Sequence, residues 1–249
     1  MFVQYRSQGL ILKKNDRSEV DQLFTIYTRD FGKLEILGKG IKKISSKLRA
    51  GMEIFYLSEI EFIQGKRYKT LTDALKIEKF ENLRKNLKRL AVAYKISEDL
   101  NNLVGGEEPD EKIWQLLIEV FKKLNNLQLT TYNLQLIYYY FFWNLISILG
   151  YKPELYFCPL CQKKLKPEKL YFSSKEGGVI CQNCSKTAKS AIEIQPETVK
   201  ILRKILERDW KTLSKLKIEG NYLKPLGEIS QNYSLFISEK NHDKMYNNI

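Results

Sequence analysis

"CPLCQKKLKPEKLYFSSKEGGVICQNC", Cys158 to Cys184, contains all four cysteines of the 249-residue chain. Two Cys-x-x-Cys pairs, Cys158/Cys161 and Cys181/Cys184, stand nineteen residues apart. This spacing fits a tetrahedral four-cysteine zinc site. Each short pair forms a tight turn that aims two sulfurs and nearby backbone N–H groups at one point. Pro159 fixes a dihedral in the first turn. Gly177 and Gly178 permit a hairpin before the second pair. Between the pairs, "KLYF" (Lys169–Phe172) reads as a short strand, which gives a zinc-ribbon plan. A disulfide framework suits secreted chains, and a redox pair needs a strand–helix context. A catalytic zinc keeps an open position and usually recruits histidine. The sole histidine, His242, sits in a polar stretch and reads as solvent-facing. One structural Zn²⁺ held by Cys158, Cys161, Cys181 and Cys184 is the expectation. Lys163, Lys164, Lys166 and Lys169 surround the site. Residue types leave open whether they only offset the thiolate charge or also meet phosphate.

Outward from this unit, the chain is strongly basic, with 42 Lys+Arg against 29 Asp+Glu and formal net charge +13. The excess is uneven: residues 1–80 carry 16 cations against 10 acids, and residues 151–190 carry 8 against 3, whereas 81–150 balance. Localised positive charge favours polyanions, because each neutralised phosphate releases counterions. At 43% hydrophobic residues a sizeable core is expected and global disorder is not. The start, "MFVQYRSQGL", lacks the pattern of a signal peptide. The apolar run Leu134–Gly150 is shorter than the ~18–20 residues of a span and is interrupted by Asn144. It reads as a buried helix, and the chain as soluble and intracellular.

Residues 1–78 read as short strands. "QLFTIYT" (Gln22–Thr28) and "LEIL" (Leu34–Leu37) flank the turn "RDFGK", where Gly32 is expected at positive φ. "MEIFYLSEIEF" (Met52–Phe62) alternates, with Met52, Ile54, Tyr56, Ile60 and Phe62 on one side. Four or five antiparallel strands suggest a small closed OB-type barrel. Between strands, "GKGIKKISSKLRAG" (Gly38–Gly51) holds Lys39, Lys42, Lys43, Lys47 and Arg49 and no acid. It reads as a loop that tracks a phosphate backbone, because cations without counter-ions repel one another until a polyanion arrives. Gly38-x-Gly40 is no dinucleotide fingerprint, since Lys43 stands at the third glycine position. No GxxxxGK phosphate loop occurs, so nucleotide-driven chemistry is unsupported.

From Phe80 the period becomes helical. Phe80, Leu83, Leu87, Leu90, Ala91 and Tyr94 form one face, with Arg84, Lys85, Lys88 and Arg89 on a solvated face. "VGGEEPDE" breaks the helix, and Pro109 suits the next start. Ile113, Leu116, Leu117, Val120, Phe121 and Leu124 line the second helix. Thr130 or Thr131 caps a third, whose aromatics Tyr138–Trp143 read as core. After the cysteines, "PETVKILRKILERDW" (Pro196–Trp210) resumes a helix, with Val199, Leu202, Ile205 and Leu206 inward. The last stretch reads as one short helix at "LGEISQNYSLFI" and a frayed end. The expected class is multidomain α+β. It comprises an OB-fold domain expected to meet nucleic acid (1–78), an all-α helical body in two parts (79–150 and 191–249) and an inserted four-cysteine zinc module (151–190).

This order of parts resembles the RecO family of bacterial recombination mediators. "GLILKKNDRSEVDQLFTIYTRDFGKLEILGKGIKKISSKL" looks like the family's N-terminal block, "LRKNLKRLAVAY" like its first helix and "CPLC…GGVICQNC" like its zinc module. The resemblance implies a non-enzymatic, cytoplasmic, nucleoid-associated role in DNA repair. It implies binding of single- and double-stranded DNA and annealing of complementary strands. It also implies help in recombinase loading on strands coated by single-strand-binding protein, with the partner RecR. Carried over by position, the DNA-contact candidates are Arg29, Lys33, Lys39, Lys42, Lys43 and Lys47; Arg49 joins them from the loop composition. Other zinc-ribbon or OB nucleic-acid-binding proteins, acting on RNA or in transcription, and a protein-interaction adaptor are the alternatives.

Overall fold

The structure, a computed structural model, describes residues 3–126, 131–188, 190–216 and 220–246. Its packing groups the chain into two compact units, Met1–Gln128 and Leu129–Ile249.

The first unit opens with five strands, β1 (Gln4–Asp16), β2 (Gln22–Thr28), β3 (Gly32–Gly38), β4 (Leu57–Ile63) and β5 (Lys69–Glu78). They close into a barrel in the order β1-β2-β3-β5-β4, the expected OB-type architecture. The 13-residue β1 serves two neighbours. Gln4–Leu10 pair with β4 and Gly9–Asp16 with β2. Gly9 sits at the changeover, where a Cβ would stand 2.6 Å from the Ile26 Cγ2 atom. One pairing departs from the all-antiparallel expectation: β3 and β5 run parallel at Ile36↔Lys69 and Leu37↔Thr70, which closes the barrel. Alternating residues Phe24, Ile26, Leu34, Ile36, Ile60 and Phe62 point inward and are fully buried. Gly32 adopts φ 63° as expected, beneath the Glu108 carbonyl.

The strand expected over Met52–Phe62 is only half a strand. Met52–Tyr56 form a turn with Phe55 at φ 62°. Phe55 leaves the alternation because its ring is buried edge-on to Tyr94 (4.9 Å) and beside Phe121 (5.5 Å). A tertiary aromatic cluster here overrides the local period.

Three helices complete this unit: α1 (Glu81–Arg84), α2 (Leu87–Leu103) and α3 (Glu111–Asn125). The single helix expected from Phe80 is broken at Asn86, whose side chain accepts from the N–H groups of Lys88 and Arg89 as an N-cap. The restart shifts the helical phase. Leu87 and Tyr94, expected inward, are 84% and 51% exposed, while Ala93, Ile96 and Leu100 are buried. Arg89, expected on the solvated face, is buried and donates to the Leu124 carbonyl at 3.1 Å. α3 follows its sequence stripe, with all six expected apolar residues buried. Its N-cap is Asp110, one residue after Pro109.

The second unit contains α4 (Thr131–Ile148), β6 (Leu170–Ser173), β7 (Gly178–Cys181), α5 (Gln182–Ser185) and β8 (Ile192–Ile194). It continues with α6 (Pro196–Leu206), α7 (Trp210–Leu213) and α8 (Gly220–Tyr246). The capping candidate Thr130 and the side chains of Thr131 and His242 lie outside the described residues. α4 is buried nearly all round, as its composition predicts. Asn144 is buried on it and donates to the Ile205 carbonyl at 3.0 Å, so the interruption of the apolar run is a tie to α6. No helix among the described residues is long and apolar enough to cross a membrane. The helix expected through Trp210 stops at Leu206, and Arg208 turns the chain at φ 58°. Leu206 is half-buried, while Ile201 takes a buried position beside Val199, Leu202 and Ile205.

The largest difference is α8, 27 residues long where one short helix is expected. Its inward face reads Leu223, Leu226, Ile229, Tyr233 and Ile237, steps of three and four. Pro225, its sixth residue, stands inside the helix and forgoes one intrahelical hydrogen bond. Trp143 of α4 stacks on Tyr233 of α8 (5.5 Å) and meets Phe172 of β6 edge-on (5.7 Å). The indole N–H donates to the Ser230 hydroxyl at 2.9 Å. This cluster fixes the cysteine-bearing segment to the helices of its own unit.

Candidate nucleic-acid interface and metal centre

The basic segment between β3 and β4 is pinned from below. Ile41 and Met52 are buried plugs in the barrel core, and the Gly40 N–H donates to the Asp21 carboxylate at 2.7 Å. The Lys42 N–H donates to the Val20 carbonyl at 3.0 Å. Residues 47–51 form a 3₁₀ turn rather than open loop, and Gly51 packs against the Ala74 carbonyl. With its apolar residues anchored, the segment presents Lys39, Lys42, Lys43, Lys47 and Arg49, all exposed. Ile44 stands among them, 97% exposed, and the sequence reading passed over it.

The seven candidate cations divide into two sets. Lys42 pairs with Asp16 at 3.0 Å, Arg29 with Glu111 at 3.3 Å, and Lys33 donates to the Asn101 carbonyl at 2.6 Å. Burial holds the Lys33 pKa below its usual value, opposed by Glu35. The Asp16 carboxylate is held low by hydrogen bonds from Gln22 and then Lys42. Among the described residues, Lys39, Lys43, Lys47 and Arg49 make no ion pair. The expectation of a segment wholly without counter-ions therefore holds for four residues and fails at Lys42, because Asp16 reaches it from the end of β1. Beside the segment lies a cleft of ≈ 240 Å³ lined by Lys14, Gln22, Ile41, Lys42, Arg49, Met52 and Glu53.

The second candidate is the cysteine cluster. A turn over Cys158–Gln162 closes with the Gln162 N–H on the Cys158 carbonyl (2.8 Å), and Gln162 sits at φ 58°. The second pair straddles the end of β7 and the start of α5. Gly177 takes φ 69°, giving the expected hairpin, and Gly178 lies so close to the backbone that a Cβ would meet the Glu154 oxygen at 2.3 Å. These turns bring the four Sγ atoms within 4.8 Å of one another, with Cys161 and Cys181 at 3.8 Å. Zinc–sulfur bonds of ~2.3 Å in a tetrahedron place sulfurs about 3.8 Å apart, so the cage fits the ion. Burial opposes ionisation of Cys158, but N–H groups of Cys181, Cys161 and Leu160 outweigh it and draw the thiol down to about 7. Cys184 is pushed up to about 12 by burial and by the neighbouring thiols. By its geometry the donor set could hold one cation, whose charge would stabilise the four thiolates together. Lys163, Lys164, Lys166 and Lys169 are all exposed around it.

Residues 1–80 match the model for the N terminus of recombination protein O, and residues 84–243 the model for its C terminus. Among curated proteins, the chain is 32% identical to the DNA repair protein RecO of Dehalococcoides mccartyi strain 195, covering 95% of this chain and 91% of that one. It is 29% identical to the protein of the same name from Caldanaerobacter subterraneus subsp. tengcongensis, over 86% and 85% of the two chains. It is 28% identical to the one from Acetivibrio thermocellus, over 96% and 94%.

Proposed function

The chain belongs to the recombination protein O family, and we propose that it serves DNA repair as a mediator that binds single- and double-stranded DNA by their backbones and anneals complementary strands. The observation that carries this reading is the set of four exposed cations, Lys39, Lys43, Lys47 and Arg49, held on a pinned segment of the barrel without internal counter-ions. Phosphate supplies the missing negative charge and releases condensed counterions as it does so. Two strands repel along their length. Cationic protein surface held against both backbones screens that repulsion, and base pairing provides the driving free energy. No nucleotide hydrolysis is required, which agrees with the lack of a phosphate loop in the sequence.

The four cysteines are assigned to one structural zinc, which fixes the fold of residues 151–190 by tying both turns to one ion. With four thiolates as ligands no position is left for substrate, which supports a non-enzymatic role. On this reading, which extends the sequence resemblance, RecR and single-strand-binding protein are the partners and recombinase loading is the outcome.

The test is annealing of complementary fluorescent oligonucleotides coated with single-strand-binding protein, with and without RecR. Acceleration by the wild-type chain is expected, and no acceleration would overturn the annealing role. The triple change Lys39→Glu, Lys43→Glu, Lys47→Glu should weaken DNA binding, lower the slope of log affinity against log salt by roughly one per lost phosphate contact, and leave the melting temperature in place. Undiminished binding would remove the segment from the interface.

A further inference from the structure

Beside the first cysteine pair, three apolar side chains face solvent within five residues: Tyr156 (48% exposed), Phe157 (46%) and Leu160 (43%). Single exposed apolar residues are ordinary, but a group on a rigid turn is less so. The Tyr156 ring is covered on one side by the Arg203 guanidinium at 4.3 Å. Phe157 makes no ring contact among the described residues. It pairs with Lys164 in an antiparallel bridge, which puts the two side chains on one face with Cβ atoms ~4.5–5.5 Å apart. The hairpin is fixed by Cys158 N–H to the Lys163 carbonyl and Leu165 N–H to the Tyr156 carbonyl, both 2.9 Å. Glu154, three residues before Phe157, accepts from the N–H groups of Tyr156 and Phe157. Lys163, Lys164 and Lys166 are exposed and make no ion pair among the described residues.

Resting on the DNA-binding reading above, we propose that this turn is a contact site for single-stranded nucleic acid, with an unpaired base stacked on Phe157 and flanking phosphates met by Lys163, Lys164 and Lys166. Lysines that only offset thiolate charge need no bare ring among them. A ring with one lysine on its own face and further exposed lysines in the same turn matches one nucleotide, whose base is flat and apolar and whose phosphates are anionic. Duplex DNA presents no free base face, so the ring selects unpaired strands. An acidic peptide shares the charge but needs concavity for its side chains. The nearest cleft, ≈ 280 Å³, is lined by residues 152–156 with Arg203, Leu206 and Glu207, and none of the proposed contacts lines it.

The experiment uses the zinc-loaded full chain and fluorescent oligothymidylate, with a duplex of equal length as comparison. Wild-type binding to neither would sink the functional reading as a whole; the remaining outcomes judge this site. Phe157→Ala should weaken oligothymidylate binding about 5- to 150-fold, the range for one stacked base, and change duplex binding less than about twofold. Phe157→Trp should retain affinity and show quenching of its indole by the oligonucleotide. Lys163→Glu with Lys164→Glu should lower the salt slope by about 0.7 per lysine. Melting temperature and zinc content serve as folding checks on each variant. Equal loss on both DNA forms, no loss on either, or quenching of the Phe157→Trp indole by an acidic peptide but not by oligothymidylate would overturn the proposal.

Discussion

The barrel and the cysteine module are similar in charge but differ in what makes them rigid. The barrel closes around ten buried apolar residues drawn from all five strands and from the basic segment itself. The module, about 40 residues by its sequence bounds, contributes β6 and β7 to a sheet that β8 completes from just beyond those bounds, and its few inward residues include Leu170, Phe172, Val179 and Ile180. Segments of that size seldom bury enough apolar area to hold a fold, and a metal commonly substitutes for the missing core. Each region therefore holds its surface lysines on a frame of a different kind. The basic segment is fixed by Ile41 and Met52 plugged into the core, and the lysines of the cysteine module sit on turns whose four sulfurs are clustered where one ion could be held.

That contrast can be broken most directly at the metal. Chelation, or Cys181→Ser, should open the module while sparing the barrel. Zinc contributes ~10–16 kcal/mol to small zinc-folded peptides at neutral pH, so the loss is expected to be the largest of any single change. Hydrogen exchange should rise over β6 and β7 and stay low in β1–β4. Uniform exchange across both regions, or none in either, would show that the two frames are not separate. The converse change is Phe24→Ala in the barrel. Core truncations of this type cost ~3–5 kcal/mol. Its melting temperature should fall while zinc remains at one ion per chain; zinc loss on that substitution would contradict the division.

Why some of this was legible in the sequence follows from range. Each cysteine pair, the Gly32 turn and the stripe of α3 are decided by neighbours a few residues away, and their spacing states the local geometry. The parts that were not legible depend on distant partners. Nothing near Lys42 in the chain announces Asp16, 26 residues earlier, and nothing near Arg29 announces Glu111. Hence three of seven candidate cations turned out to be engaged at home. Asn86 could have been seen as a cap. Its restart of α2 exposes Leu87 and buries Arg89, inverting a face that hydrophobicity alone assigned. The length of α8 was hidden by Pro225 and by a polar composition, although Leu223, Leu226, Ile229, Tyr233 and Ile237 carry the period.

The smallest expected effect compares one tyrosine from each unit. Tyr27 in β2 and Tyr233 in α8 are both buried, and burial pushes each phenol up to about 12. Both are neutral when folded, whereas the unfolded phenol ionises near its ordinary value of about 10. Above that pH the unfolded state binds fewer protons than the native state, so stability is full below pH ~10 and falls as pH rises toward about 12. A gap of ~2 units corresponds to about 3 kcal/mol per tyrosine at the upper limit. At neutral pH the two should part company. Among the described residues the buried Tyr27 hydroxyl has no hydrogen-bond partner; the Asp110 charge adds to its upward shift and the Asp110 backbone moderates it. The Tyr233 hydroxyl donates to the Tyr151 carbonyl at 3.1 Å. Tyr27→Phe should therefore be neutral or stabilise by up to ~1 kcal/mol, and Tyr233→Phe should destabilise by about 1 kcal/mol, with each variant losing its own share of the alkaline decline. Thermal melts at pH 7 and pH 11 measure all four quantities. The same sign for both substitutions at pH 7 would mean that the Tyr27 hydroxyl has a partner as good as that of Tyr233.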